Sequence, residues 1–105
     1  MEINLISGAL GAEVKGIDLK DSSDKNWEVI NNLMLEHKAL FFRDQDLTCE
    51  EQINLAKKFG PLERHVYVKG LKDHPEILRI VKGASEKHQW GETWHTDVSY
   101  NPKPT

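Results

Sequence analysis

The spacing of apolar side chains predicts a first α-helix that begins at the polar cluster 21–24 and ends at His37. Apolar, aromatic or histidine side chains recur there at three- and four-residue steps, which places them on one face of a helix. The polar run 21–24 precedes this face and offers side chains that can cap the helix N-terminus. The predicted inner face consists of Trp27, Ile30, Leu33, Met34 and His37.

A second helix is predicted to begin after Thr48. Glu51 follows three residues later, which is the spacing of a capping box. The helix should end near Phe59, because Gly60 and Pro61 come next. Its predicted inner stripe is Ile53, Ala56 and Phe59.

Shorter apolar runs predict strands. The run 3–19, "INLISGALGAEVKGIDL", is broken by glycines and suggests an opening hairpin-like pair. The run 38–44, "KALFFRD", and the run 76–81, "EILRIV", are further strand candidates, and the polar segment 82–92 is predicted to be an exposed loop. The next segment, "WHTDVSY" at 94–100, is also interpreted as a strand. Strands alternating with two helices favour an α+β fold.

Composition narrows the class of protein. A chain of 105 residues with 38% hydrophobic and 30% charged residues and a mean hydropathy of −0.60 has the composition of a single polar-surfaced domain. It has no run that could span a membrane and no signal-peptide pattern at its start. The net charge of −3 argues against nucleic-acid binding. The single cysteine, Cys49, is interpreted as a spectator thiol, and we expect a cytoplasmic protein.

The "WHTDVSY" segment contains the main chemical candidate. In a strand, His95, Asp97 and Ser99 would share one face, while Trp94, Thr96 and Val98 would pack on the other. An imidazole and a carboxylate spaced in this way can bind one metal ion, and this donor mixture suits Fe(II). On spacing alone, a hydrogen-bonded or solvent-facing pair is the more common arrangement.

The order of the motifs resembles that of the taurine dioxygenase family of Fe(II)- and 2-oxoglutarate-dependent dioxygenases. The matching segments are "GAEVKGIDL", "HKALFFRDQDLTCEEQINLAKKFGPLERH" and "WHTDVSY", which together extend along nearly the whole chain. The resemblance implies that residues 1–105 are the N-terminal part of a taurine dioxygenase-like domain, a partial double-stranded β-helix (jelly roll) with two flanking helices. It also implies that His95 and Asp97 are iron ligands and that 2-oxoglutarate is the co-substrate.

The resemblance indicates what a complete site would still need. Family members have a second ligand histidine far downstream and an arginine that pairs with 2-oxoglutarate, and neither matches a position up to Thr105. We therefore expect this chain to be inactive alone. The alternative is a non-catalytic module that binds metal or forms oligomers, which becomes credible if His65 or a partner's histidine joins the pair. Unpaired strand edges of a partial jelly roll would favour a homo-oligomer.

Substrate residues are implied in the same way. His65 and Tyr67 are the nearest matches to the histidine and tyrosine that hold the substrate in taurine-specific members, although the spacing differs slightly. Those members have an asparagine where this chain has Gly91. The resemblance thus extends to taurine or a related small organic acid such as a sulfonate. Without the resemblance to the family, His65 would be interpreted as an exposed strand histidine.

Other notable side chains have ordinary structural interpretations. His37 is expected to interact with the C-terminal dipole of the first helix. Arg43 is expected in a salt bridge at a strand end, beside a turn-forming Asp44. The imidazoles of His74 and His88 are expected to be solvated. The three tryptophans are expected to be packing residues, and one of them could also cover the candidate metal site: Trp27, Trp94 and, over the site, Trp90.

Overall fold

The computed structural model describes residues 1–87, 91 and 93–103. It divides the chain into two compact units, 1–61 and 62–105. Predictions made for His88 and Trp90 lie outside the described residues.

The first unit holds all the regular structure of the described residues. Strands β1 (Glu2–Leu5) and β2 (Ala12–Lys15) form an antiparallel pair, and β3 (Leu40–Phe41) pairs in parallel with β2, giving the sheet order β1-β2-β3. Helix α1 is Asp24–His37 and helix α2 is Cys49–Phe59. The opening hairpin, the strand in the run 38–44 and both helices are therefore confirmed, and this mixture of sheet and helix agrees with an α+β fold.

Local signals in the sequence fix both helix starts. Ser23 accepts a hydrogen bond from the backbone N–H of Asn26 and caps α1. Thr48 and Glu51 form the predicted capping box of α2, with each side chain bonded to the other residue's backbone N–H. Each cap satisfies N–H groups that have no partner within the helix, so the chain enters each helix at a defined residue.

The core of this unit lies between the sheet and α1. Two residues of α1, Ile30 and Leu33, are buried against Val14 and Ile17. Trp27, Met34 and His37 are half-buried, so the predicted inner face of α1 is confirmed. By contrast α2 has no buried residue. Its predicted stripe is only partly covered: Phe59 remains 58% exposed while its ring meets Trp27 edge-on at a centroid distance of 4.7 Å.

The segment after β3 is held by polar contacts. Arg43 Nε donates to Glu13 Oε1 at 2.9 Å, so the predicted salt bridge exists with Glu13 as the partner. Asp44 follows with a φ of 55°. Gln45 then accepts from Leu19 N and donates to the carbonyl of Ile17, which ties this segment to the end of the hairpin.

The second unit consists of turns and irregular backbone in its described residues. A tight loop is closed by hydrogen bonds from Leu71 N to the Ile77 carbonyl and from Ile77 N to the His74 carbonyl. Gly70 lies against this loop so closely that an added Cβ would sit 2.1 Å from the Pro75 oxygen, so only glycine fits. His74 is half-buried in this loop, which corrects the prediction of a solvated side chain.

Two strand predictions in the second unit are wrong. Residues 76–81 and 94–100 form no strand in the structure. Ile80 and Val81 are 61% and 70% exposed, and no described segment pairs with them. Strand formation depends on a pairing partner and on packing more than on local propensity, so an apolar run alone does not establish a strand.

Candidate metal centre

The candidate pair His95 and Asp97 does come together. His95 Nε2 lies 3.1 Å from Asp97 Oδ1, and the side chains are 50% and 82% exposed. The two side chains therefore present a nitrogen and an oxygen at one point on an accessible surface. A metal ion bound by both donors at about 2.1 Å would fit a pair at this separation with small side-chain shifts.

The pair lies on irregular backbone that leads into a turn, which corrects the strand prediction. Asn101 N donates to the Val98 carbonyl at 2.9 Å, and Val98 has a φ of 48°. A positive φ reverses the chain direction and is unusual for a β-branched residue. It breaks the alternation of faces that a strand would impose.

Side chains near the pair do not keep to the two faces that a strand would give them. Thr96 Oγ1 and Ser99 Oγ are hydrogen-bonded at 2.7 Å, although alternation would place them on opposite faces. Trp94 is fully exposed, so the prediction that it packs is wrong. Trp27, in contrast, is half-buried as predicted.

The imidazole of His95 is oriented by the backbone. Its Nδ1 lies 2.6 Å from the carbonyl oxygen of Thr93, and because a carbonyl only accepts, Nδ1 carries the proton. This bond, together with the Asp97 carboxylate, raises the pKa of His95 above its usual value. In the neutral ring Nε2 is then the atom with a lone pair, which is the tautomer that a metal ligand needs.

Gly91 gives the ring its space. It has a φ of +73°, and a Cβ added there would approach His95 Cε1 to 3.3 Å. A larger residue would both strain the backbone and press on the imidazole. The position where the resemblance expects asparagine therefore has a steric role toward His95 in this chain.

His65 and Tyr67, the predicted substrate residues, line the same open cleft as His95 and Asp97. The Nδ1 of His65 accepts hydrogen bonds from the backbone N–H groups of Tyr67 and Val68, both at 3.1 Å. In neutral His65 the proton is therefore on Nε2. The imidazole is half-buried and fixed, whereas Tyr67 is 79% exposed.

Within residues 1–87, 91 and 93–103, no three histidine, cysteine, aspartate or glutamate side chains are grouped so that they could hold a metal ion. His65 therefore does not join His95 and Asp97 as a third ligand. Cys49 is a free, half-buried thiol at the start of α2.

Sequence reasoning missed a cleft residue that the structure identifies. Tyr100 lines the cleft beside Tyr67, with ring centroids 6.2 Å apart. The signal available in the sequence was that Tyr100 is the aromatic residue that ends the "WHTDVSY" segment. Its place in the cleft depends on the turn at Val98, which the sequence pattern does not predict.

Comparison with known proteins places the chain in a class of enzymes. The family model described as "Taurine catabolism dioxygenase TauD, TfdA family" matches residues 2–105. The chain belongs to this family.

Within the part of the chain that the structure describes, no helix is long and apolar enough to cross a membrane.

Individual relatives differ in the substrates their names state. The (S)-phenoxypropionate/alpha-ketoglutarate-dioxygenase of Sphingobium herbicidovorans is 32% identical over 111 residues, covering 96% of this chain and 36% of the relative. An alkylsulfatase of Acinetobacter baylyi is 33% identical over 102 residues, covering 95% of this chain and 31% of the relative. The chain thus spans about a third of the length of the curated relatives it matches.

Solved structures agree with the family assignment. A putative alpha-ketoglutarate-dependent taurine dioxygenase from Burkholderia xenovorans matches with a TM-score of 0.63 and 30% identity, over 70% of this chain and 27% of that one. AAD-2 in complex with Mn(II) and N-oxalylglycine matches with a TM-score of 0.56 and 27% identity, over 63% of this chain and 27% of that one.

Proposed function

We propose that residues 1–105 are the N-terminal part of an Fe(II)- and 2-oxoglutarate-dependent dioxygenase that hydroxylates taurine or a related small organic acid. The observation that carries the proposal is the His95–Asp97 pair, in which two donors suited to Fe(II) lie 3.1 Å apart within a chain of this family. The relatives' names, which state phenoxypropionate and sulfate ester substrates, support a small organic anion as the substrate class.

In this proposal His95 Nε2 and an Asp97 carboxylate oxygen are two ligands of the iron. The bound iron, with 2-oxoglutarate and oxygen, would supply the oxidising chemistry of hydroxylation. The chain's own residues orient the site. The Thr93 carbonyl holds the Nδ1 proton of His95 and so leaves Nε2 to the metal, and Asp97 Oδ1 lies 3.1 Å from that nitrogen.

His65 and Tyr67 are proposed to contact the substrate. Both line the cleft that contains the ligand pair, and the two backbone hydrogen bonds to His65 Nδ1 put the proton of the neutral ring on Nε2. An N–H donor of this kind can bind a sulfonate or carboxylate oxygen.

The third ligand is proposed to lie in polypeptide beyond the described residues, because no third donor joins the pair among them. We also propose that the rest of the jelly roll lies in that further polypeptide, because this chain covers about a third of each relative.

A homo-oligomer is part of the proposal, and size-exclusion chromatography over a concentration series tests it. A clean monomer at high concentration would count against it.

The decisive test of function begins with the reading frame after Thr105. It is expected to continue in frame to a histidine and an arginine. The longer product should release succinate from 2-oxoglutarate with Fe(II), oxygen and a sulfonate such as taurine, whereas the 105-residue chain should not. Robust turnover by the 105 residues alone would refute the proposed dependence on further polypeptide.

A further inference from the structure

We infer that a hydrogen bond between the side-chain hydroxyls of Thr96 and Ser99, the hydroxyl bridge, positions Asp97 for metal binding. The two oxygens are 2.7 Å apart, and either hydroxyl can donate. The inference rests on the proposed function, in which the Asp97 carboxylate is a metal ligand. Thr96 and Ser99 are positioning residues in this arrangement, because they act through Asp97 and do not contact the metal.

Packing does not orient the carboxylate of Asp97. Its side chain is 82% exposed, whereas that of His95 is 50% exposed. The imidazole of His95 is oriented by the Thr93 carbonyl and lies against Gly91. An exposed side chain samples its staggered rotamers unless a contact or the local backbone favours one of them. The candidate pair therefore has one oriented member and one that needs a restraint.

The contact with His95 does not supply this restraint in the form of the site that binds a metal. A metal ion needs the lone pair of Nε2, and the ring proton is then on Nδ1, bonded to the Thr93 carbonyl. An ionised carboxylate only accepts hydrogen bonds, so Nε2 and Asp97 Oδ1 share none in this form. The backbone around Asp97 has to keep the two donor atoms close.

The hydroxyl bridge acts on this stretch of backbone. It joins the residue before Asp97 to the residue after Val98, so the chain is closed around both. Val98 has a φ of 48°, and a strained conformation of this kind persists only where surrounding contacts impose it. The bond from Asn101 N to the Val98 carbonyl begins after Asp97, whereas the hydroxyl bridge spans it.

The size of the effect on metal affinity follows from the population of the binding conformation. Without the bridge, some molecules leave the conformation in which Asp97 lies beside His95 Nε2. The apparent dissociation constant rises by the factor by which that population falls. One hydrogen bond changes such an equilibrium by about two- to tenfold. The expected loss is therefore much smaller than the loss caused by removing a ligand.

The test removes the two hydroxyls singly and together and measures Mn(II) affinity by electron paramagnetic resonance of the free ion. Ser99→Ala and Thr96→Val should each weaken binding by about two- to tenfold. The double variant should bind no more weakly than the weaker single variant, because each change breaks the same bond. Ser99→Thr and Thr96→Ser keep a hydroxyl and should bind like the parent chain. Losses that multiply in the double variant, or unchanged affinity in either single variant, would overturn the inference.

Two comparisons separate positioning from other effects of the same changes. If the Ser99 hydroxyl bound the metal directly, Ser99→Ala would weaken binding and Thr96→Val would not, and this result would contradict the inference. Ser85→Ala is the matched control, since it removes an exposed hydroxyl from the same unit and should leave Mn(II) affinity unchanged. Equal losses in Ser85→Ala and Ser99→Ala would also count against the bridge.

A measurement without metal distinguishes this inference from the proposed metal site. Three-bond NMR couplings to the β protons of Asp97 report its χ1 rotamer, which should be single in the parent chain and averaged in Ser99→Ala. Mn(II) binding by the parent chain, with the same couplings in both proteins, would reject the bridge alone. No Mn(II) binding, with a single rotamer that Ser99→Ala averages, would reject the metal site and support the positioning of Asp97.

Discussion

His95 Nε2 and Asp97 Oδ1 lie 3.1 Å apart although the backbone between them is not a strand. The Thr93 carbonyl orients the imidazole through His95 Nδ1, and irregular backbone brings Asp97 beside it. Two residues apart in sequence, an imidazole and a carboxylate can therefore come together without the strand that alternation suggests.

The protonation of His95 provides a first prediction. The Thr93 carbonyl and the Asp97 carboxylate raise its pKa, so the imidazolium should persist to a higher pH than in a free histidine. A metal ion requires the neutral ring, and metal binding should weaken as the pH falls through this raised pKa. The pairing of imidazolium with Asp97, in contrast, is present at low pH and is lost as the pH rises through the same value.

An NMR titration of the His95 ring signals in the metal-free chain measures this pKa. Asp97→Asn should lower it only in part, because the variant keeps the hydrogen bond to the Thr93 carbonyl, which is the largest single cause of the raised pKa. A pKa at or below that of an unstructured histidine peptide would contradict the described geometry.

Gly91 gives a second prediction, on the shape of the site. Gly91→Ala should weaken metal binding by roughly tenfold, because the positive φ costs an alanine about 1–2 kcal/mol and the new Cβ would press on His95 Cε1. Gly83→Ala is the control, since an added Cβ there meets only the Glu86 carboxyl carbon at 4.0 Å. Titration with Mn(II) measures both variants, and equal losses would show that the effect is not specific to the site.

The capping box of α2 gives a third prediction. Thr48→Ala should lower the free energy of unfolding by about 1 kcal/mol, because the backbone N–H of Glu51 loses its partner. Thr48→Ser keeps the hydroxyl and should be close to the parent chain. Urea unfolding followed by circular dichroism measures the change, and an alanine variant as stable as the serine one would argue against the cap.

The core of the first unit gives a fourth prediction. Leu33 is 7% exposed within the cluster between sheet and helix, so Leu33→Ala should cost about 2–5 kcal/mol of unfolding free energy. Leu35 lies on the same helix but is 62% exposed, and Leu35→Ala should change stability by less than about 0.5 kcal/mol. Similar losses from both variants in the same unfolding assay would contradict the assigned core.

The first unit was largely predictable because its signals are local. Caps at Ser23 and Thr48 and the periodicity that buries Ile30 and Leu33 act within a few residues of the helices they define. The partner of Arg43 was not predictable, because Glu13 is 30 positions away and reaches it only through the pairing of β2 with β3.

The second unit was predicted less well because its shape depends on contacts that are distant in sequence. The apolar run 76–81 indicated a strand, but a strand needs a partner, and none of the described residues provides one. The candidate pair His95 and Asp97 was proposed from its residue types and the family resemblance. Tyr100 was missed because its position depends on the backbone reversal at Val98, an unusual conformation for that residue.

The central claim is that His95 and Asp97 together bind the metal ion. Electron paramagnetic resonance of free Mn(II), titrated with the purified chain, measures it most directly. We predict one binding site per chain that weakens by about 100-fold or more in the double variant His95→Ala, Asp97→Ala, since even supporting residues of metal sites contribute 10–100-fold. Asp73→Asn, which removes an exposed carboxylate from the same unit, should leave binding unchanged. Equal Mn(II) binding by the parent chain and the double variant would contradict the claim.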